Sequence, residues 1–171
     1  VDKFDAAFPT RLRQIGDSPV VLYCHGNLAG LEAKPAVAVI GARAASLAAV
    51  DIAYHLGKRL AQIGVPVIGG LALGCDTAAH QGSLDHGGYT AAILPAGLDV
   101  IYPPQNAGLA SQIARSGCLI SEYPPGIQPA RYRFVERDRI QSGLSDIVIV
   151  VETEINGGAM HTARFARRQG R

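Results

Sequence analysis

A chain of 171 residues with 48% hydrophobic and 18% charged side chains is long enough to bury one core and too apolar to be disordered. Sixteen basic against fourteen acidic side chains leave a formal charge of +2, so global charge carries no argument for nucleic acid and only local clustering does. Cys24, Cys75 and Cys118 are odd in number, far apart and without a CxxC pair, which argues against a disulfide framework and points to a reducing, cytoplasmic compartment.

Residues 1–35 read as a lead-in, in which PVVLYCHG (19–26) is open to an edge strand. From there the chain alternates. AVAVI (36–40) is a short, fully buried type of strand, and residues 45–64 have helical periodicity, with Ala49, Ile52, Ala53, Leu56, Leu60 and Ile63 on one face. VPVIGG (65–70) is a second strand and CDTAAHQGSLDHG (75–87) a second helix, with Asp76 near its N-terminus. TAAILP (90–95), NAGLASQIARSG (106–117) and CLIS (118–121) continue as strand, helix and strand, the helix being stopped by Gly117. RFVERDRIQSGLS (133–145) is helical, DIVIVVE (146–152) a fifth strand, and residues 157–171 a final helix. Strand and helix alternating at this spacing imply right-handed crossovers and a mostly parallel sheet with helices on both faces. The expectation is an α/β, extended Rossmann-like fold over 36–171. The chain ends at RRQGR, where such a fold wants one more strand, so the domain is expected to lack its last strand and any C-terminal domain. No apolar run approaches the roughly twenty residues of a membrane span. No signal peptide is visible.

In an open parallel sheet, ligands bind beyond the carboxyl ends of the strands. Those ends here carry Gly41 and Arg43, then Gly69, Gly70 and Gly74, then Ser121 and Glu122, then Glu152, Gly157, Gly158 and Thr162. Glycines admit an anion close to the backbone, and helix N-termini offer free N–H groups. Several such turns with Arg43 among them point to a phosphate site. Taken singly, each turn is equally well explained as a tight strand-to-helix connection. GGLALG does not match GxGxxG, which disfavours a classical dinucleotide site.

The segment PARYRFVERDRIQSGLSD (129–146) crosses the same rim and concentrates Arg131, Arg133, Arg137 and Arg139 with Tyr132 and Phe134. Arginine grips phosphate and exposed rings stack bases. The plainer reading is a solvated helix, since Glu136 and Asp138 stand among the arginines. Nothing marks a catalyst. Ser46 and Ser121 lie outside any GxSxG, and Cys75 heads a helix without an evident base. Glu122 and Glu152, ending what read as neighbouring strands, suit anchoring the arginines better than an acid/base pair. His25 beside Cys24 and His80 five residues after Cys75 make no strong zinc signature, so no metal and no cofactor are expected.

SPVVLYCHGN, VAVIGAR, GGLALGCDTAAHQGSL, LPAGLDVIYPPQN, LISEYPPGIQP, RFVERDRIQSGLSDIVIVVE and GGAMHTARFARRQGR, in this order, resemble the DNA-processing protein A family, also called Smf. The resemblance runs from about Phe8 to Arg171. It implies an extended Rossmann fold that binds single-stranded DNA as a homodimer. It also implies protection of incoming strands in natural transformation and competence, and help in loading the RecA recombinase during homologous recombination. It implies no enzyme. Carried onto this sequence, Arg43 is a phosphate contact, Arg131 the basic residue before the stacking Phe134, and Arg137 and Arg139 the arginines of the family's R-N-R element. Val135 stands for the family's proline, and Asp138 for its asparagine, where a carboxylate can pin Arg137 or Arg139. Gly69 and Cys75 replace a serine and an isoleucine of the turn after the second strand. A nucleotide-binding phosphoribohydrolase is the alternative enzyme reading, although Gly157–Gly158 is followed by AMHTA and its PGGxGTxxE motif is incomplete. A module that senses a free nucleotide would use the same rim.

Overall fold

The computed structural model describes residues 1–32 and 35–171. In chain order the elements are α1 (Thr10–Arg13), β1 (Tyr23–Gly26), β2 (Val37–Ile40), α2 (Leu47–Gln62), β3 (Val67–Gly69), α3 (Cys75–Leu84), β4 (Thr90–Leu94), α4 (Ala107–Ser116), β5 (Cys118–Ser121), α5 (Arg131–Gly143), β6 (Ile147–Val150) and α6 (Ala159–Gln169). The sheet order is β1-β5-β4-β3-β2-β6. All neighbours are parallel except β1, which closes one edge antiparallel to β5, where PVVLYCHG was open to such a strand.

Side chains alternate along each strand, and both faces are covered. Val37, Val39 and Val67 pack against Ala49 and Ala53 of α2 and Ala78 and Ala79 of α3. Ala92, Leu94 and Leu119 pack against Leu109, Ala110 and Ile113 of α4 on the same side. Ala38, Ile40, Ile68, Ala91, Ile93 and Ile120 face the other way. They meet Ile140 and Leu144 of α5 together with Phe8, Leu12, Ile15 and Leu22 of the lead-in. Arg11 ties the lead-in down further, pairing with Asp146 at 2.8 Å just before β6.

Two expectations are corrected by this packing. Ile52 and Ile63 are 52% and 72% exposed, while the buried row of α2 is Ala49, Ala53 and Gly57. The helix approaches α3 backbone to backbone: a Cβ on Gly57 would lie 2.1 Å from the Ala79 carbonyl oxygen, and one on Gly82 2.0 Å from that of Tyr54. Small residues therefore choose the inner face, Leu56 and Leu60 pack at its border, and Ile52 and Ile63 turn outward. Glu122 and Glu152 do not end neighbouring strands either, because β4, β3 and β2 separate β5 from β6.

The order of strands also places a crevice. From β2 the chain steps through β3 and β4 to β5 in one direction, then returns to lay β6 on the other side of β2. Helix α2 leaves β2 toward one face. Helix α6, whose Ala159 packs with the α5 side, leaves β6 toward the other. The two connections part at the carboxyl ends of β2 and β6, which is the topological switch point of such a sheet.

Candidate functional site

A cavity of about 1000 Å³ opens at that switch point. It is lined by Gly41, Ala42 and Arg43 after β2, by residues between Glu152 and Thr162 after β6, and by Arg131, Phe134, Arg137 and Asp138 of α5. Ala72 reaches it from the connection after β3 and Asp76 from the first turn of α3.

Its mouth is aromatic and basic. The Arg43 guanidinium lies 4.9 Å from the centre of the Phe134 ring, a cation–π arrangement. Tyr102 meets the same ring edge-on at 5.4 Å and is 39% exposed. Arg131 opens α5 at the surface. Among the described residues neither Arg43 nor Arg131 is paired with a carboxylate. Their charge is free to meet an anion.

The floor is charged too, but closed on itself. Arg137 is buried, donates from Nη1 to the Ile93 carbonyl at 2.6 Å, and places Nε 3.0 Å from Asp138 Oδ1. Burial lifts the Asp138 carboxyl to about 6 against the pull of Arg137, and Thr162 adds a hydrogen bond to it. Asp76 is buried and accepts from the Gly70 amide at 2.6 Å. Burial pushes its pKa up, and Arg137 opposes that shift. His80 sits beneath, bonded through Nδ1 to Thr90 Oγ1 at 2.6 Å, and burial with Arg137 nearby lowers its pKa to about 3. Neutral His80 is thus part of the core.

The glycines after β3 serve this cluster. A Cβ on Gly70 would stand 1.8 Å from Arg137 Nη1, one on Gly69 2.6 Å from His80 Nε2, and one on Gly74 (φ +76°) 2.3 Å from the Ala42 carbonyl oxygen. Gly41 likewise makes room for Cys75. Leu71 between them is held at φ 58°, with Asn106 Nδ2 donating to its carbonyl at 2.8 Å. A buried leucine in the left-handed region marks stored backbone strain at this rim. Gly157 and Gly158 line the cavity where α6 begins, and no side chain caps that helix. Thr162, also lining it, is turned to Asp138.

Arg139 lies elsewhere. Its Nη2 meets both oxygens of Glu122 at 2.6 and 2.7 Å, and Asp17 stands 3.9 Å from Nε. Glu122 therefore anchors an arginine, as its position suggested. Glu152 does not: it accepts from the Ser46 amide at 2.9 Å and hydroxyl at 2.6 Å, while Ser46 Oγ caps α2 through the Ala49 amide. Asp138 pins Arg137 rather than Arg139.

The hydroxyls and thiol nearby are engaged or inactive. Ser121 donates to the Ala96 carbonyl at 2.6 Å, Ser46 is a cap, and burial with Asp76 beside it pushes the Cys75 thiol up. His161 lines the cavity. Among the described residues no cluster of three or more His, Cys, Asp or Glu is arranged to hold a metal, and no helix is long and apolar enough to cross a membrane. Tyr102 escaped the sequence reading. Its signal was an aromatic in the long connection after β4, at the ligand end of the sheet. The Asp76–Arg137–His80 cluster left no signal, because Arg137 is 61 residues from Asp76 in sequence.

The profile of a family described as DNA recombination-mediator protein A matches residues 1–171. DNA processing protein DprA of Streptococcus pneumoniae is 40% identical over 167 residues, covering 98% of this chain and 58% of that protein. Protein Smf of Escherichia coli is 39% identical over 165 residues, covering 96% of this chain and 44% of that one. The chain spans about half the length of the curated relatives it matches. The crystal structure of DprA from S. pneumoniae superimposes with a TM-score of 0.94 at 38% identity, over 100% of this chain and 60% of that one. A structure that describes the single-stranded DNA binding mode of DNA processing protein A from Helicobacter pylori superimposes at 0.90 with 32% identity, over 95% and 74%. With every residue inside the family's profile and the sheet superimposing throughout, the chain belongs to the DNA recombination-mediator protein A family, the DprA/Smf proteins.

Proposed function

We propose that this chain binds single-stranded DNA across the mouth of the β2/β6 cavity, as the DNA-holding part of a recombination mediator. The observation that carries the reading is Arg43 stacked at 4.9 Å on Phe134, with Arg131 beside them and no carboxylate claiming either arginine among the described residues. Phosphate meets the arginines and a base stacks on the ring, with Tyr102 bracing it from the side. The similarity to the H. pylori protein, whose structure describes single-stranded DNA binding, supports the same ligand class. Gly41, Gly157 and Gly158 keep the backbone low at the entrance. Gly69, Gly70, Gly74, Arg137 and Thr162 act by building the floor, and Arg139 by fixing α5.

The finer expectations belong to the same proposal and rest on family membership: action without catalysis in the cytoplasm, as a homodimer that protects strands during transformation and hands them to RecA. A cavity of about 1000 Å³ is also the size of a small-molecule site, so a free nucleotide is the second reading.

The test is fluorescence anisotropy with a labelled oligothymidylate of about thirty nucleotides, long enough for one or more sites of ordinary size. Binding should weaken with salt and favour single strands over duplex. Phe134→Ala should lose about 5- to 150-fold in affinity, the equivalent of about 1–3 kcal/mol for one stacked base. Arg43→Ala and Arg131→Ala should each flatten the salt dependence by roughly one phosphate contact. Wild-type protein that ignores the oligonucleotide at low salt but gains thermal stability with a mononucleotide would overturn the DNA reading in favour of the second.

A further inference from the structure

At the edge of the sheet far from the cavity, two of the three cysteines stand side by side. In the β1–β5 ladder Cys24 pairs with Ile120 and Cys118 with Gly26, so the two cysteines are diagonal neighbours on one face. The position opposite Cys118 is Gly26, so no side chain stands between the two sulfurs' strands there, and the Cys118 thiol itself donates to the Leu119 carbonyl at 3.4 Å. Cys118 is fully buried, Cys24 is partly open to solvent, and both pack into the same cluster beside Tyr89.

We propose that Cys24 and Cys118 form a reversible thiol–disulfide pair that staples edge strand β1 to β5 when a peroxide-class oxidant is present. The roles differ. The neighbouring Cys118 thiol draws the pKa of Cys24 down, whereas Cys24 and burial push that of Cys118 up. Cys24, reachable from solvent, attacks one oxygen of the peroxide as thiolate, and the O–O bond breaks to release hydroxide. The product is a sulfenic acid on Cys24. Cys118 then attacks that sulfur, and its proton leaves with the sulfenic hydroxyl as water. Two thiols lose two electrons and two protons, and one peroxide becomes two waters.

Diagonal neighbours in an antiparallel ladder are about 7–8 Å apart at Cα, slightly beyond the usual disulfide span. Closing the bond therefore draws β1 inward by about an ångström. That movement is available because β1 is a four-residue strand with a single partner strand. Cys75 takes no part. It is buried across the sheet, packed on Gly41, and burial pushes its thiol up.

The experiment treats the native protein with hydrogen peroxide, blocks remaining thiols with an alkylating agent after unfolding, and reads intact mass and a non-reduced peptide map. One alkylated thiol, on Cys75, with the Cys24 and Cys118 peptides linked and released by dithiothreitol, is the expected result. Cys24→Ser should leave two alkylated thiols. Cys118→Ala should leave Cys24 as a sulfenic acid that dimedone traps. If the buried substitution prevents folding, the wild-type map and Cys24→Ser decide alone. Three alkylated thiols after peroxide, over-oxidised Cys24 without a link, or a bridge that includes Cys75 would each overturn the proposal.

Discussion

Replacing Asp138 by Asn tests the closed floor of the cavity. Asp138 is buried with its Oδ1 3.0 Å from Arg137 Nε, and burial outweighs that guanidinium to raise the carboxyl from 3.8 to about 6. A group that holds its proton more tightly in the native state than in the unfolded chain stabilises the native state as pH falls. Between about pH 6 and pH 4 the native protein keeps a proton that the unfolded chain releases. Above about pH 6 the native state carries the ionised group at full cost. A gap of about two pKa units corresponds to about 3 kcal/mol. Asparagine of the same shape removes that cost, keeps an oxygen for Arg137 and Thr162, and gives up some attraction to the guanidinium. Asp138→Asn should therefore be more stable than wild type near pH 7.5 by about 1–3 kcal/mol, and the advantage should fade toward pH 4. Urea denaturation followed by circular dichroism across this range measures it, because a shift of midpoint at constant slope is a change in stability. A variant less stable than wild type near neutral pH, with a deficit that grows as pH rises, would show that pairing with Arg137 outweighs desolvation and would refute the reasoning.

Two further outcomes separate framework from ligand contact. Arg139→Ala removes the Nη2 donor that both oxygens of the partly buried Glu122 carboxylate share, and should cost about 1–3 kcal/mol in urea denaturation. Its oligonucleotide affinity should stay within about twofold, and a larger loss without a change in stability would place Arg139 at the DNA instead. Gly57→Ala puts a Cβ 2.1 Å from the Ala79 carbonyl and should lower stability by about 2 kcal/mol or more through forced separation of α2 and α3. A melting temperature equal to wild type would mean that the two helices slide apart freely.

Much of the fold was legible because short, continuously apolar strands alternate with helices, and because each turn carried its glycine. The edge strand PVVLYCHG was readable for the same reason, and β1 proved antiparallel to β5. Sheet order was not readable. Local sequence says that strands follow one another, while packing of α2 and α6 on opposite faces decides that β6 returns beside β2. The misplacement of Glu152 beside Glu122 follows from that gap. The face of α2 failed for another reason. Periodicity weighs large apolar residues, but a backbone-to-backbone helix contact is set by Ala49, Ala53 and Gly57. Among the arginines, composition could not separate Arg43 and Arg131, which no described carboxylate claims, from Arg137 and Arg139, which Asp138 and Glu122 hold.

That separation explains how a chain with a net charge of +2 can present a basic site. The cavity lining includes Asp76, Asp138, Glu152 and Glu154 beside Arg43, Arg131 and Arg137, so its summed charge does not favour an anion. Placement decides instead. Asp76 and Asp138 surround Arg137 at the floor, and Ser46 occupies Glu152 at the head of α2. What reaches the entrance is the stacked pair of Arg43 and Phe134 with Arg131, with the exposed Glu154 as the carboxylate beside them. A phosphate drawn into the depth would meet buried carboxylates that already have partners. A phosphate held at the entrance would meet Arg43 and Arg131, with which no described carboxylate pairs. Under the proposed DNA reading, this arrangement suits a strand lying across the opening better than a ligand swallowed by it, with the Phe134 ring where a base would turn inward. An arginine-rich helix on the border of the core is consistent with both halves of this arrangement. Arg137 closes the floor, Arg139 braces the helix, and Arg131 lies exposed at the entrance, where the proposed strand would pass.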